Sequence, residues 1–357
     1  MRIAIATMSR DISFGGNLQA YALQKTILEN SHSSCLHIAR EAQRHKIFIP
    51  IKNKRSILTN INRLIHYGNH RKKMQRFEFF QENYLSFTDE IFSDENAYEL
   101  NDSFDCFISG SDQVWNCAKG INNILFLNFA GNDKMKVSYA ASIGIQDIPE
   151  QYRESFIQSI SRYDYISVRE KRAKEIVETL TNMKCTQVLD PVFLREADEW
   201  RMLAGNRIVD DKYIFVYATE VSEELVECVQ QCEKLTGYKV ISVHKLLHYP
   251  TIEFKSGPIE FLNYVNNAEY VITSSFHCAA FSMIFLKNLT AIPHSKTGVR
   301  VSGLLETLGA QKSLYNGVFD PDEKYDANLV WRNINHNRTE SLGFIRQFLT
   351  SGEKYYG

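Results

Sequence analysis

No stretch of eighteen or more apolar residues occurs in the 357-residue chain, so a helical membrane span is not expected. The opening run Met1-Arg2-Ile3-Ala4-Ile5-Ala6 is a short strand pattern broken by polar residues, not the apolar core of a signal peptide. A cytoplasmic chain is the expectation. No Cys-x-x-Cys pair is present; Cys35, Cys106, Cys117, Cys185, Cys228, Cys232 and Cys278 are scattered, and Cys228 and Cys232, one helical turn apart, have no His nearby. That excludes the usual zinc and dithiol frameworks and predicts a reduced protein with no metal site. Cys278, near a helix start, is read either as an acidic thiol or as a small packing residue. A Gly-x-Gly-x-x-Gly fingerprint and short-period repeats are also missing, which argues against a dinucleotide-binding loop and a solenoid.

An excess of charge of either sign is lacking too, since the net charge is −1. The balance is uneven, however. Residues 40–76 carry eleven Lys or Arg against a single acid, Glu41, and the spacing of Ile57, Leu58, Ile61, Leu64 and Ile65 is helical. A basic amphipathic helix of this kind reads as an element at an anionic membrane surface, and the same stripe also fits a helix packed on its own domain. Nothing else resembles a nucleic-acid module, so nucleic acid is not an expected partner.

Hydrophobic residues make up 44% of the chain and charged residues 23%, ordinary values for a globular protein. The length exceeds what one core usually supports, so two domains are expected. Strand-like runs at 2–7, 106–109, 137–141 and 165–168 alternate with helical patterns at 17–30, 71–83, 149–162 and 172–180, the signature of a parallel α/β sheet. After Asp190-Pro191 the alternation restarts, with strands at 213–217, 239–243, 270–273 and 288–292 and helices at 223–236, 258–266, 276–286 and 299–308. This predicts an amino-terminal α/β lobe over 1–195 and a carboxy-terminal α/β lobe over 205–335. A last helix within 338–357, with its amphipathic part at 342–349, would pack back on the first lobe.

Two segments carry chemistry. Gly110-Ser111-Asp112-Gln113-Val114-Trp115-Asn116 follows a strand run, at the carboxyl end where open α/β sheets keep ligands. Its Asp112, Gln113 and Asn116 suit sugar hydroxyls, and Trp115 is either the flat wall of that pocket or a core residue. The second segment runs from the strand at 270–273 through Ser274 and Ser275 to Phe276-His277-Cys278, placing His277 at the positive end of a helix dipole. Gly15-Gly16 reads as a tight turn allowing close backbone approach to a ligand, and Asn17 and Gln19 beside it face the same cleft if the sheet order is that of a GT-B fold.

With Phe14-Gly15-Gly16-Asn17-Leu18-Gln19, Ser138-Tyr139-Ala140-Ala141-Ser142-Ile143-Gly144, Ile166-Ser167-Val168-Arg169-Glu170 and Leu189-Asp190-Pro191-Val192-Phe193, these segments form an ordered series over almost the whole chain. The series resembles the polysaccharide pyruvyl transferase family. The resemblance implies two Rossmann-like lobes arranged as in GT-B glycosyltransferases, with the active site in the cleft between them. It also implies phosphoenolpyruvate as donor and a pair of hydroxyls on a sugar as acceptor, in a polyprenyl-diphosphate-linked oligosaccharide presented at the inner face of the membrane. No cofactor beyond the donor is implied. Two departures from the family pattern stand out: Cys278 replaces the usual Gly after the His, and Ser275 stands where some members carry an Arg.

Such a donor brings a carboxylate and a phosphate, so cations must converge on it. Arg169, leaving a strand end, suits a bidentate grip, and an Arg ion-paired with Glu170 or Asp164 is the alternative. His277 is expected to move a proton or to contact phosphate, and Asp112 to orient or deprotonate an acceptor hydroxyl. Ser111 and Ser275 line the same strand ends. Lys296 and Arg300, in a polar loop before the helix at 299–308, either supply charge that Ser275 cannot or are solvated. A nucleotide-sugar glycosyltransferase and a non-catalytic glycan-assembly protein remain alternatives on the same architecture.

Overall fold

A computed structural model describes residues 1–40, 67–252, 255–295 and 298–356. Most of the basic segment, with Ile57, Ile61 and Leu64, and also Lys296 lie outside the described residues.

The amino-terminal half forms a six-stranded parallel sheet from β1 (Arg2–Ala6), β2 (Ser34–His37), β3 (Cys106–Ser109), β4 (Met135–Ala141), β5 (Tyr165–Val168) and β6 (Thr186–Gln187), in the order β2-β1-β3-β4-β5-β6. A four-stranded parallel sheet follows, from β7 (Tyr213–Tyr217), β8 (Lys239–Ser242), β9 (Tyr270–Thr273) and β10 (Asn288–Ala291), ordered β10-β9-β7-β8. The strands are apolar on both faces, as helix-covered parallel sheets require; β3 is buried throughout and so is β7 but for its last residue. The connecting helices of the first half are α1 (Phe14–Asn30), α2 (Tyr67–Tyr84), α3 (Glu150–Ile160) and α4 (Lys171–Thr181). Beyond them come α5 (Ala197–Ala204), α6 (Glu223–Thr236), α7 (Pro258–Asn267), α8 (Phe276–Ile284), α9 (Val299–Leu308) and α10 (Ala327–Tyr356).

In each sheet the strand order reverses once, between β1 and β3 in the first and between β7 and β9 in the second. Such reversals open a crevice beyond the carboxyl ends of the strands, where ligands of open α/β sheets bind. The 8–13 and 110–116 loops leave the first reversal, and the turn through Ser274 and Ser275 leaves the second.

Two expected features are corrected. Gly15-Gly16 is the first turn of α1, not a loop before it, because Ser13 caps the helix by accepting from the Gly16 amide at 3.2 Å. The final helix starts at Ala327, well before 342, because its first half buries Val330 and Ile334 in the second core before Phe344, Ile345, Phe348 and Leu349 join Ile3, Ile5 and Leu23 in the first. Where it crosses the linker, Arg338 Nε donates to the Phe193 carbonyl at 2.6 Å and the Leu189 amide donates to Ser341 Oγ at 2.9 Å.

All seven cysteines are unpaired and buried. Cys278 is a packing residue, not an acidic thiol: burial pushes it up to about 12, more than its contacts with Thr273 and Ser282 lower it.

His37, at the end of β2, is fully buried, and neither ring nitrogen makes a hydrogen bond of regular geometry. Burial pushes its pKa down from 6.5 to about 4, and the nearby Ala20 carbonyl offsets only part of that. The folded state therefore holds His37 neutral while the unfolded chain takes up its proton. Stability should be full above pH 6.5 and fall as pH drops toward about 4. By 1.36 kcal/mol per pKa unit the loss is roughly 3 kcal/mol. Urea melts of wild type and His37→Leu between pH 4 and 7 check this: the slope should flatten in the variant, and parallel slopes would remove His37 as its cause.

Candidate active site

The two crevices face each other across a tight junction. Phe14, at the start of α1, stacks on Phe77 of α2 at 5.4 Å and on Phe261 of α7 at 4.9 Å, and meets Tyr217 edge-on at 5.8 Å. One turn position further, a Cβ on Gly15 would come within 2.1 Å of His277 Cγ and Nδ1. The helix start of one lobe therefore rests directly on the His277 ring of the other.

At the centre lies a carboxylate from the Leu189-to-Phe193 motif, to which the sequence reading assigns no role in the site. Asp190, 1% exposed, caps the 3-10 turn Pro191–Leu194 by accepting from the Val192 amide at 3.1 Å. Its other oxygen accepts from Arg169 Nη1 at 2.6 Å and Ser111 Oγ at 2.8 Å, and lies 3.6 Å from His277 Nε2. Burial alone would raise the Asp190 carboxyl; His277 and Arg169 instead hold it well below the usual carboxylate range. The signal was available in the Asp-Pro pair, which suits an N-cap followed by N1.

Arg169 reaches Asp190 from the end of β5 and donates from Nε to Glu170 Oε1 at 3.0 Å. Its guanidinium lies over the Phe276 ring, 3.9 Å from the centroid. Burial opposes its charge, but Glu170, Asp190 and Asp112 together raise its pKa above the ordinary value. The ion-paired alternative for Arg169 thus holds in part, with Glu170 and Asp190 as partners; Asp164 instead accepts from the Lys136 amide at 2.8 Å. The remaining nitrogen, Nη2, is buried with no partner, and so are His277 Nε2 and Arg300 Nε. Arg300, in the first turn of α9, has its pKa lowered by burial and then by Arg169, while Asp112, Glu170 and Asp190 oppose the shift. The cluster thus holds three buried nitrogens without a hydrogen-bond partner, two of them on guanidinium groups.

Asp112 closes the other side. Its backbone sits at φ 70°, in the left-handed region, and its carbonyl accepts the amides of Ser142 at 3.0 Å and Val114 at 2.7 Å. That geometry stitches the ends of β3 and β4 together, and an Asp tolerates it better than most residues. Gln113 Oε1 accepts from Asn116 Nδ2 at 2.7 Å, and Asn116 Oδ1 accepts from the Ala118 amide at 2.9 Å, so these two side chains brace the loop.

Several expected ligand-facing residues have structural duties. Trp115 is fully buried, 5.4 Å from the Tyr163 ring and 6.1 Å from Phe126, and is core, not a pocket wall. Asn17 is buried; its Nδ2 donates to the Asp11 and Ser13 carbonyls at 2.8 Å and its Oδ1 accepts from Gln81 at 2.9 Å. Gln19 is buried as well, donating to Thr7 Oγ1 at 2.9 Å and the Gly16 carbonyl at 3.0 Å. Ser275 caps α8, accepting from the Cys278 amide at 3.5 Å. Helical and loop backbone needs outweighed the polarity that made these residues look available.

A family model for polysaccharide pyruvyl transferase matches residues 14–296, a span that takes in Gly15, Asp112, Arg169, Asp190 and His277. The chain belongs to the polysaccharide pyruvyl transferase family. It is thereby a pyruvyl transferase acting in polysaccharide biosynthesis, with a sugar as acceptor. No curated protein sequence matches the chain with significance. Among solved structures, a putative UDP-N-acetylglucosamine 2-epimerase from Listeria monocytogenes superposes with a TM-score of 0.55 at 12% identity, covering 97% of this chain and 91% of that one. The UDP-GlcNAc 2-epimerase of Methanocaldococcus jannaschii gives 0.51 at 12% identity, with 94% and 92% covered. The Neisseria meningitidis UDP-GlcNAc 2-epimerase bound to UDP-GlcNAc gives 0.51 at 9% identity, with 99% and 100% covered. At these identities the likeness shows the fold, a two-lobed GT-B-like α/β architecture.

Among the described residues no helix is long and apolar enough to cross a membrane, and no group of three His, Cys, Asp or Glu side chains could hold a metal ion.

Proposed function

We propose that the enzyme moves the pyruvyl group of phosphoenolpyruvate onto two hydroxyls of one sugar in a cell-surface polysaccharide precursor, forming a cyclic ketal and releasing phosphate. The observation that carries this reading is the trio of buried nitrogens without hydrogen-bond partners, Arg169 Nη2 after β5, His277 Nε2 at the start of α8 and Arg300 Nε at the start of α9. Buried cationic donors are costly unless a ligand completes them, and a donor bearing both carboxylate and phosphate supplies two anionic groups. Arg169 and Arg300 hold those groups. His277, 3.6 Å from Asp190, delivers a proton to the methylene carbon, which leaves the adjacent carbon cationic and open to a hydroxyl. The acceptor is a polyprenyl-diphosphate-linked oligosaccharide met at the inner face of the membrane, and residues 40–76 supply the cationic attraction to that surface.

The side chains meet the donor's charge, so turnover should persist in EDTA. The test incubates the protein with phosphoenolpyruvate and lipid-linked glycans, with and without EDTA. Phosphate release that depends on acceptor, together with a glycan heavier by pyruvate less one water, is the expected result. A strict need for added Mg²⁺, or turnover of a nucleotide sugar in place of phosphoenolpyruvate, would replace this reading.

A further inference from the structure

The proposed reaction removes a proton from each of two hydroxyls, yet His277 gives one away. Asp112 is the acid that the sequence suggested for receiving one. Its Oδ1, however, already accepts from the Gln113 amide at 2.9 Å, and it stands at a strained turn that serves the sheet.

Glu170 is differently placed. Ser142 Oγ donates to its Oε1 at 2.6 Å and Arg169 Nε donates to the same oxygen at 3.0 Å, so the carboxylate is fixed through one oxygen. Its Oε2 is buried and has no hydrogen-bond partner. The residue lines a narrow crevice with Gly144, Gln146, Arg172 and Arg300, and its charge acts on the Arg300 guanidinium. A carboxylate held by one oxygen, with the other buried and without a hydrogen-bond partner, on a residue that lines a crevice, is an acceptor that lacks its donor.

We propose that Glu170 Oε2 takes the proton of the attacking sugar hydroxyl; the proposal rests on the phosphoenolpyruvate reading above. His277 gives a proton to the methylene carbon, and the sugar oxygen bonds to the cationic carbon while its proton passes to Glu170. The second hydroxyl then bonds to the same carbon as the carbon–oxygen bond to phosphate breaks, and its proton leaves with the phosphate. Glu170 returns its proton through solvent to His277, so the enzyme ends as it began. A strong base is not needed, because a hydroxyl becomes acidic as its oxygen bonds to a cationic carbon. A carboxylate paired with Arg169 suffices.

The test compares wild type, Glu170→Gln and Glu170→Ala on one soluble acceptor with phosphoenolpyruvate. Gln keeps an oxygen for Ser142 and Arg169 and removes the base. Its kcat should fall by roughly 10² to 10⁴-fold, with donor affinity within about twofold of wild type. In Glu170→Ala, added formate should restore part of the lost kcat, whereas the amide of the Gln variant blocks that space and leaves formate without effect. Near wild-type kcat in Glu170→Gln would overturn the proposal. So would a loss in both variants that follows donor affinity and ignores formate, since that pattern marks a residue that only positions Arg169. A wild type inert toward phosphoenolpyruvate would overturn the donor reading and the proton transfer with it.

Discussion

Arg169→Lys should lose about a hundredfold or more in kcat/KM for phosphoenolpyruvate while the protein stays folded. The planar guanidinium serves three directions at once, with Nη1 on Asp190, Nε on Glu170 and Nη2 left without a partner. An ammonium can satisfy Asp190 or reach the donor, but its single nitrogen cannot keep the same geometry to both. One lost charged hydrogen bond to a reacting anion is worth up to about 3 kcal/mol, close to a hundredfold in rate. Arg169→Ala should do more. It leaves Asp190, fully buried at its side chain, without its guanidinium partner and with the His277 imidazole at 3.6 Å. Breaking a buried ion pair from one side typically costs 3–5 kcal/mol, so a large drop in Tm should accompany the loss of turnover. Initial rates at low donor concentration and thermal melts separate the two effects. The bidentate grip that the sequence suggested is not available, because Nη1 and Nε are taken, and a Lys variant with nearly full activity at low donor would remove the role of Nη2 as well.

The alternation of strands and helices made the fold readable, because parallel strands covered on both faces are short apolar runs with little ambiguity. The positions of Asp112, Arg169 and His277 at strand ends were equally plain. What stayed hidden depends on partners far apart in sequence. Asp190 matters because Ser111 and His277 come to it from loops 79 residues before and 87 after, and neither distance leaves a local trace. Trp115 looked like a ligand platform because polar residues surround it in sequence, whereas in space Phe126, Phe156 and Tyr163 do. Ser275 and Asn17 looked available for the same reason, and helix capping and loop bracing claimed them. Glu170 read as a mere partner of Arg169, because only the folded structure shows that one of its oxygens is left over.

Gly15→Ala should abolish most activity although it adds one methyl group to a helix. In an unhindered helix the change would stabilise by about 1 kcal/mol, since alanine is the better helix former. Here the new Cβ would come within 2.1 Å of His277 Cγ and Nδ1 and 2.6 Å of His277 Cβ, distances that force a shift. The start of α1 cannot retreat, because Phe14 is stacked between Phe77 and Phe261. His277 must therefore turn away or the two lobes must part, and either movement takes the ring from Asp190 and from the donor. Displacement of a reacting group by about 1 Å can cost a hundredfold in rate. Gly16→Ala is the control. The atoms nearest its Cβ would be the Ser13 side chain at 3.2 Å and the Met8 carbonyl at 3.3 Å, contacts that small adjustments relieve. The expected order of kcat is wild type, then Gly16→Ala within severalfold, then Gly15→Ala lower by two orders of magnitude, with Tm also falling in the last. Equal activity in the two variants would mean that His277 does its work away from α1. The cleft would then have to be more open during turnover than the Phe14 stack allows.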